Sequence, residues 1–168
     1  VPDGKTLSYS AKVDNNMCPT LAKTGSLSGV DNVQLAGLEA AGVWGPFTLQ
    51  GEYIASMANR ASSSNEDPAF DGWYVLGSWL ITGETRPYDK ANAIFKGVKP
   101  NSNFGAKEGH GWGAWELSAR YQTIDLNKED IKGGQLNAWT LGLNWYLNKN
   151  IKIMADYTLA GTDYPNDS

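Results

Sequence analysis

The fold is decided by two stretches near the C-terminal end, Trp139-Thr-Leu-Gly-Leu-Asn-Trp-Tyr-Leu147 and Ile151-Lys-Ile-Met-Ala-Asp-Tyr-Thr-Leu159. Each stretch alternates large apolar residues with small or polar ones. A period of two is the pattern of a β-strand whose two faces meet different surroundings. The sequence therefore predicts two neighbouring strands with one apolar face and one polar face.

The short connection Asn148-Lys149-Asn150 joins these strands, so we expect them to form a hairpin. When Leu147 pairs with Ile151, the apolar pairs are Trp145 with Ile153, Leu143 with Ala155, and Leu141 with Tyr157. The opposite face carries the polar set Asn144, Thr140, Tyr146, Lys152 and Asp156. A half-buried sheet of a soluble protein has the same period, so this hairpin alone leaves a membrane barrel and a soluble sheet both open.

A second hairpin is predicted at Trp44-Gly45-Pro46-Phe47, where Gly45 takes the first central turn position, which needs a positive φ. Pairing Trp44 with Phe47 places Glu39 directly opposite Glu52 on the polar face. Two carboxylates so arranged repel each other unless water or a cation lies nearby. This register favours a sheet with one side in water.

Composition bounds the fold class. The chain has 168 residues and a formal charge of −4, which gives no indication of a nucleic-acid partner. Its 19 glycines, 7 tryptophans and 8 tyrosines, without helical apolar spacing, predict an all-β fold. No run reaches the length of a transmembrane helix, but the strands of a membrane barrel need only about 9 to 11 residues each.

About seven strands are predicted, the first of them from Leu7 to Val13. Short turns lie at one end of these strands and longer loops at the other, as in bacterial outer-membrane barrels. The predicted fold class is therefore an all-β, antiparallel transmembrane β-barrel, with residues 1–168 as a single domain. Because an odd number of strands does not close an ordinary bacterial barrel, we expect the chain to be part of a larger one.

Residues 83–112 interrupt the strand pattern, and we call them the inserted segment. Their length exceeds that of an ordinary hairpin loop, which makes them a functional candidate. They fall on the short-turn side of the predicted barrel, where a long connection is unusual. We therefore expect the inserted segment to fold into the lumen.

Positive charge is concentrated in the inserted segment. Between positions 86 and 107 only Asp89 opposes the basic residues, so this stretch carries +4 in an acidic chain. Lysines in a confined aqueous passage attract anions and replace part of their hydration, while an arginine adds a planar grip on a phosphate-like ion. The alternative is a solvated loop that its lysines keep soluble. The candidate residues here are Arg86, Lys90, Lys96, Lys99 and Lys107.

Strand parity places two further basic residues, Arg120 and Lys152, on the polar face. There they either extend a basic path or neutralise nearby carboxylates, among them Glu116 and the pair of Glu39 and Glu52. Both roles are open from the sequence.

No catalytic site or cofactor is predicted. Cys18 and His110 are each single, so we expect neither a disulfide within the chain nor a zinc site. The run Gly109-His-Gly-Trp-Gly-Ala114 fits a nucleotide-binding spacing, but a strand pattern follows it where that motif needs a helix. The carboxylates show no spacing that assigns acid and base roles. The sequence thus predicts no enzyme, no metal and no nucleic-acid partner.

Several segments resemble the phosphate-selective porin O/P family, and they cover most of the chain after position 33. They are Gly72-Trp73-Tyr74, Leu80-Ile-Thr-Gly-Glu-Thr-Arg-Pro-Tyr-Asp89, Phe95-Lys-Gly-Val-Lys-Pro100, Gly111-Trp-Gly-Ala-Trp-Glu-Leu-Ser-Ala-Arg-Tyr121 and Trp139-Thr-Leu-Gly-Leu-Asn-Trp-Tyr-Leu-Asn148.

The resemblance implies a sixteen-stranded barrel in the bacterial outer membrane, assembled as a homotrimer and surrounded by lipid. It also implies passive diffusion of phosphate, polyphosphate-like ions or other small anions through a basic lumen. Lys96 and Lys99 are the first positions carried over, followed by Lys90 and Lys152. The family reads Phe-Gly-Arg-Val-Lys-Pro where this chain has Phe-Lys-Gly-Val-Lys-Pro, a shift of one charge that bears on ion preference.

Three alternatives accompany this hypothesis. A broad-specificity outer-membrane porin is the nearest, and an outer-membrane barrel without transport is another. The third is a soluble β-sandwich that binds carbohydrate through exposed aromatic residues. Such a sandwich buries Trp139, Leu141 and Trp145 against a second sheet.

Overall fold

The computed structural model describes residues 6–13, 19–60, 67–106, 111–128 and 131–165. These residues form ten β-strands. In chain order they are β1 (Ser10–Ala11), β2 (Ala22–Lys23), β3 (Val30–Trp44), β4 (Phe47–Arg60), β5 (Ala69–Leu80), β6 (Tyr88–Asp89), β7 (Ile94–Phe95), β8 (Ala114–Lys128), β9 (Ile131–Asn148) and β10 (Ile151–Asp163).

Six long strands form one sheet in the order β10-β9-β8-β5-β4-β3, and each neighbouring pair is antiparallel. They contain 12 to 18 residues, more than a tilted strand needs to cross a bilayer. The prediction of an all-β, antiparallel fold is confirmed. Over the described residues the sheet is open, with β3 and β10 at its edges, and is not a closed barrel.

Both predicted hairpins have the expected register. Trp145 pairs with Ile153, Leu143 with Ala155 and Leu141 with Tyr157, although a bulge pairs Ile151 with Asn148 and not with Leu147. In the other hairpin the turn glycine, Gly45, has φ 56°. Its strands place Glu39 opposite Glu52.

The first predicted strand, from Leu7 to Val13, is not a long strand in the structure. About seven strands were predicted, and the structure has six long ones in part for this reason. The part of the chain from Leu7 to Val13 contributes only β1, paired with β2, and a bridge from Leu7 to Leu27. Its apolar residues are buried instead against the end of the polar face, around Phe70 and Leu136. The alternating apolar pattern of this stretch therefore reflects burial of its side chains against the sheet. It does not mark a further long strand of the sheet.

One face of the sheet, which we call the apolar face, is exposed over its whole width. Leu38, Trp139 and Leu141 are 74%, 56% and 57% exposed. A soluble β-sandwich buries such a face under a second sheet, so the carbohydrate-binding alternative is not favoured. Other exposed members are Trp44, Phe47, Leu49, Tyr53, Trp73, Val75, Trp79, Leu117, Leu143, Ile153, Tyr157 and Leu159.

The opposite face, called the polar face, carries the remaining side chains of each strand. We call the end of the sheet that holds Gly45–Pro46 and Lys149–Asn150 the turn end, and the other end the loop end. The N-terminal residues cover the polar face at the loop end, and the inserted segment covers it at the turn end. There Val98 is buried with Leu80, Ala114 and Tyr146.

No helix in the described part of the chain has the length and apolarity needed to cross a membrane.

Candidate anion-binding site

The inserted segment begins with a sharp reversal after β5. Gly83 has φ 88° and its N–H donates to the carbonyl of Leu80 at 2.9 Å. The buried carboxylate of Glu84 accepts hydrogen bonds from the Thr82 hydroxyl and, at 3.0 Å, from the N–H of Asn101. These bonds close the base of the segment and direct it back over the polar face.

Arg86 fastens the segment to the sheet. Its guanidinium forms an ion pair with Glu116 of β8. Glu116 also accepts hydrogen bonds from the Tyr146 hydroxyl at 2.8 Å and from the amide of Asn144 at 3.1 Å. Only 2% of the Glu116 side chain is exposed, so the pair is largely withdrawn from water. A carboxylate with three donors satisfies the demand that a buried charge be paired and hydrogen-bonded.

The same contacts keep Arg86 charged. Burial alone disfavours its charged form, but the hydrogen bond to Glu116 and the charge of that carboxylate outweigh burial and raise the pKa of Arg86 above its ordinary value. Because its guanidinium is engaged by Glu116, Arg86 has the role of holding the segment in place.

Lys96 is placed by the short hairpin of β6 and β7. Its N–H donates to the carbonyl of Pro87 at 2.8 Å, and the rings of Tyr88 and Phe95 pack with centroids 5.1 Å apart. The Lys96 ammonium lies 2.9 Å from the carboxylate of Asp89. This contact, followed by a hydrogen bond from Asn92, lowers the pKa of Asp89 below its ordinary value.

Lys149 projects from the turn between β9 and β10. The side-chain oxygen of Asn148 accepts hydrogen bonds from the N–H groups of Asn150 at 2.8 Å and Ile151 at 3.1 Å. An asparagine that bonds to the backbone two residues on is a frequent way to fix a tight turn. Lys149 is thereby held exposed at the turn end, beside the inserted segment.

Four basic side chains meet at one cavity of about 320 Å³, which we call the basic pocket. No aspartate or glutamate is among its lining residues. A neighbouring cavity of about 280 Å³ shares Arg86, Phe95, Tyr146 and Lys152 with it and continues along the polar face. The basic side chains of the pocket are Arg86, Lys96, Lys149 and Lys152.

The structure thus brings three of the predicted candidates together. Lys152 also lies over the ring of Tyr146, with its ammonium 5.5 Å from the centroid. Lys90 and Lys99 are exposed on the inserted segment and line neither of the two cavities. Lys107 lies outside the described residues.

Arg120 stands apart from the basic pocket. Its guanidinium carbon lies 4.4 Å from the centroid of the Tyr74 ring, on the polar face. The Tyr74 hydroxyl bonds to Gln50 at 2.9 Å, and Gln50 donates to Glu39 at 3.2 Å. Arg120 therefore lies against Tyr74, beside the hydrogen-bonded network that reaches Glu39.

Sequence reasoning missed Lys149, since it counted basic residues only within the inserted segment and on strand faces. The signal was present, because the Lys149 turn falls at the same end of the strands as that segment. Metal-ligating clusters of three or more His, Cys, Asp or Glu side chains do not occur among the described residues.

Long antiparallel strands with an exposed apolar face, and a polar face that carries charge, define the class of outer-membrane β-barrel proteins. A sequence model described as "Phosphate-selective porin O and P" matches residues 4–167. The chain belongs to this family, and the family places it in the bacterial outer membrane.

Two relatives are similar to this chain. It is 35% identical over 136 residues to "Porin O" of Pseudomonas aeruginosa, a match that covers 76% of the chain and 30% of the relative. It is 32% identical over 123 residues to an "Uncharacterized protein" of Caulobacter vibrioides, covering 73% of the chain and 24% of that relative. The chain thus spans less than a third of the length of either relative.

Proposed function

We propose that this chain forms part of an outer-membrane channel that passes small anions, phosphate or polyphosphate-like ions among them, by passive diffusion. The observation that carries the proposal is the convergence of Arg86, Lys96, Lys149 and Lys152 on one cavity without a lining carboxylate. Family membership supports the same class of function.

The charges of the basic pocket suit a transient anion site. Arg86 and Lys96 already have carboxylate partners, whereas Lys149 and Lys152 have none within ion-pair distance among the described residues. Lysine ammonium groups replace part of the hydration shell of an oxyanion without the fixed fork of an arginine. Lys149 and Lys152 are therefore the main anion ligands, Lys96 contributes, and Arg86 positions the inserted segment. The electrostatic potential around the pocket is made more positive by further basic residues, namely Lys90, Lys99, Lys107 and Arg120.

The proposal assigns the apolar face to outer-membrane lipid and the polar face, with the inserted segment over it, to the lumen. Unpaired strand edges are very costly in hydrocarbon. The outer edges of β3 and β10 therefore pair with further strands of a closed barrel, sixteen-stranded by the family resemblance. Assembly of that barrel as a homotrimer belongs to the same proposal.

Conductance of the intact porin in planar bilayers tests this function. Replacing Lys149 and Lys152 together by Gln removes two exposed charge contacts to the anion, worth about 0.2 to 1 kcal/mol each. We expect that inhibiting the chloride conductance of this double variant requires a phosphate concentration about tenfold higher. The reversal potential in a salt gradient moves away from anion selectivity.

Lys132→Gln is the matched control, because Lys132 lies at the loop end of β9, far from the basic pocket. It should leave phosphate inhibition unchanged. A wild-type channel with strong cation selectivity, or a double variant that binds phosphate like the wild type, contradicts the anion assignment.

A broad-specificity porin is the second candidate, and one observation favours it. Glu39 and Glu52 stand opposite each other on the polar face, on the edge strand β3 and its neighbour β4. Negative charge there attracts cations and reduces anion preference. Equal permeation of small cations and anions through the wild-type channel would support this candidate instead.

A further inference from the structure

One lysine of the basic pocket already holds a carboxylate. Lys96 and Asp89 are 2.9 Å apart, and both belong to the β6–β7 hairpin. Asp89 does not line the basic pocket, but an ammonium that stays bound to it is not available to an anion in the pocket. Lys96 therefore has to exchange one negative partner for another when an anion enters the pocket.

The two partners are held very differently. Asp89 accepts hydrogen bonds from the N–H of Ala91 at 3.0 Å and from the side-chain amide of Asn92 at 3.1 Å. Its side chain is 18% exposed, while that of Lys96 is 57% exposed. The hairpin tip thus supplies the carboxylate with two donors besides Lys96, and the lysine is the more exposed partner. Long exposed lysine side chains change rotamer at small cost.

The other ion pair at the pocket is of a different kind. Arg86 and Glu116 have side-chain exposures of 18% and 2%, and Glu116 has two further donors. Separating this pair leaves a buried charge without its partner, which typically costs 3 to 5 kcal/mol. Of the two ion pairs, Lys96 with Asp89 is therefore the one that separates at the lower cost.

We propose that Asp89 sets the affinity of the basic pocket, as the resident counter-ion that Lys96 gives up when a phosphate-class oxyanion enters. This inference rests on the proposed function. Entry exchanges one Lys96 ion pair for another, so the net gain in binding free energy is small. Weak binding is what conduction through a pore requires, since an ion that enters must also leave.

The decisive variant is Asp89→Asn in the intact porin, measured at pH 7 in planar bilayers. Asparagine keeps the side-chain oxygen that accepts from Ala91, but it carries no charge. Lys96 then meets phosphate without a competitor. We expect phosphate to inhibit chloride conductance at a concentration about two- to fivefold lower, the range that exposed ion pairs give. Unchanged or weaker inhibition overturns the proposal.

Two further variants show whether the effect acts through Lys96. When Lys96 is replaced by Met, the added Asp89→Asn change should have no effect on phosphate inhibition, because the two residues form one coupled unit. An equal gain without Lys96 overturns the proposal in favour of a general field effect. Asp67→Asn, on an exposed residue near the loop end, should leave inhibition unchanged.

The outcomes separate this inference from the function on which it rests. A wild-type channel that phosphate does not inhibit overturns both. A channel that phosphate inhibits, and that is indifferent to Asp89→Asn, overturns the role of Asp89 alone. Should the asparagine variant fail to fold, Asp89→Ser repeats the test, because a hydroxyl oxygen also accepts from Ala91.

Discussion

Glu116 connects the inserted segment to β8 and β9. Its carboxylate receives Arg86 from the segment, and Tyr146 and Asn144 from β9. The four side chains lie on three separate parts of the chain, and all of them depend on the one carboxylate. Together with the Glu84 hydrogen bonds and the burial of Val98, this contact holds the segment over the polar face.

Replacing Glu116 by Ala is expected to loosen the inserted segment. The change leaves the Arg86 charge partly buried without a partner, a loss of about 3 to 5 kcal/mol for a buried pair. Trypsin should then cleave the folded porin after Lys90 or Lys96 at least tenfold faster than it cleaves the wild type. Ser118→Ala, two residues along the same face, is the control. Equal cleavage rates in all three proteins contradict this role of Glu116.

Single residues also show how much of the candidate site the sequence predicts. Strand parity placed Arg120 and Lys152 on the polar face, because alternate side chains of a strand point to opposite sides. It did not reveal that Glu116 binds Arg86, thirty positions earlier. That contact depends on the path of an irregular segment, for which no period exists.

At the scale of elements, the ionised Asp89 contributes to the stability of the β6–β7 hairpin. Its hydrogen bond from Lys96 is the largest cause of the lowered pKa, followed by that from Asn92. A lowered pKa in the folded state means that the stabilisation is present above the ordinary aspartate pKa, about 3.9. It is lost as the pH falls through the lowered value.

Hydrogen exchange of the Lys96 amide, which donates to Pro87, reports on this hairpin. After correction for the intrinsic rate, we expect faster exchange below about pH 4 than at pH 6. In Asp89→Asn this step should be absent. A wild-type rate that does not change across that range shows that the ionised carboxylate does not stabilise the hairpin.

The extents of the long strands were harder to predict than their existence. Residues 127–134 have the polar, glycine-bearing composition of a loop, yet β8 continues to Lys128 and β9 begins at Ile131. Gly134 has φ 87° and lies beside a register shift, so glycine here serves a bulge within the hairpin. Composition alone does not separate a bulge from a loop.

At the scale of the whole molecule, the sheet has one apolar face and one polar face. Its hairpin registers and its two faces followed from a period of two, because a slip of one residue would exchange every side chain between the faces. Leu80 lies on the polar face, where Val98 of the inserted segment covers it. The meeting of Lys149 with the inserted segment did not follow, since it depends on how strand ends come together in three dimensions.

The assignment of the apolar face to lipid predicts opposite results at two adjacent residues. Leu141 is exposed on the apolar face, and Thr140 bonds to Thr158 at 3.0 Å on the polar face. In a membrane, Leu141→Arg should reduce the free energy of unfolding by about 2 to 4 kcal/mol, because a charge then lies in hydrocarbon. Thr140→Arg should cost less than about 1 kcal/mol, since its charge meets water.

Denaturant unfolding of the porin in lipid vesicles measures both values. On a soluble sheet Leu141→Arg would not be the more destabilising of the two changes. An arginine in place of an exposed leucine then changes the free energy of unfolding by no more than about 0.5 kcal/mol. Equal and small effects at the two positions therefore contradict lipid contact. A loss confined to Leu141 means that the apolar row, from which the strands were predicted, faces lipid. An anion can then reach only the polar face of the sheet.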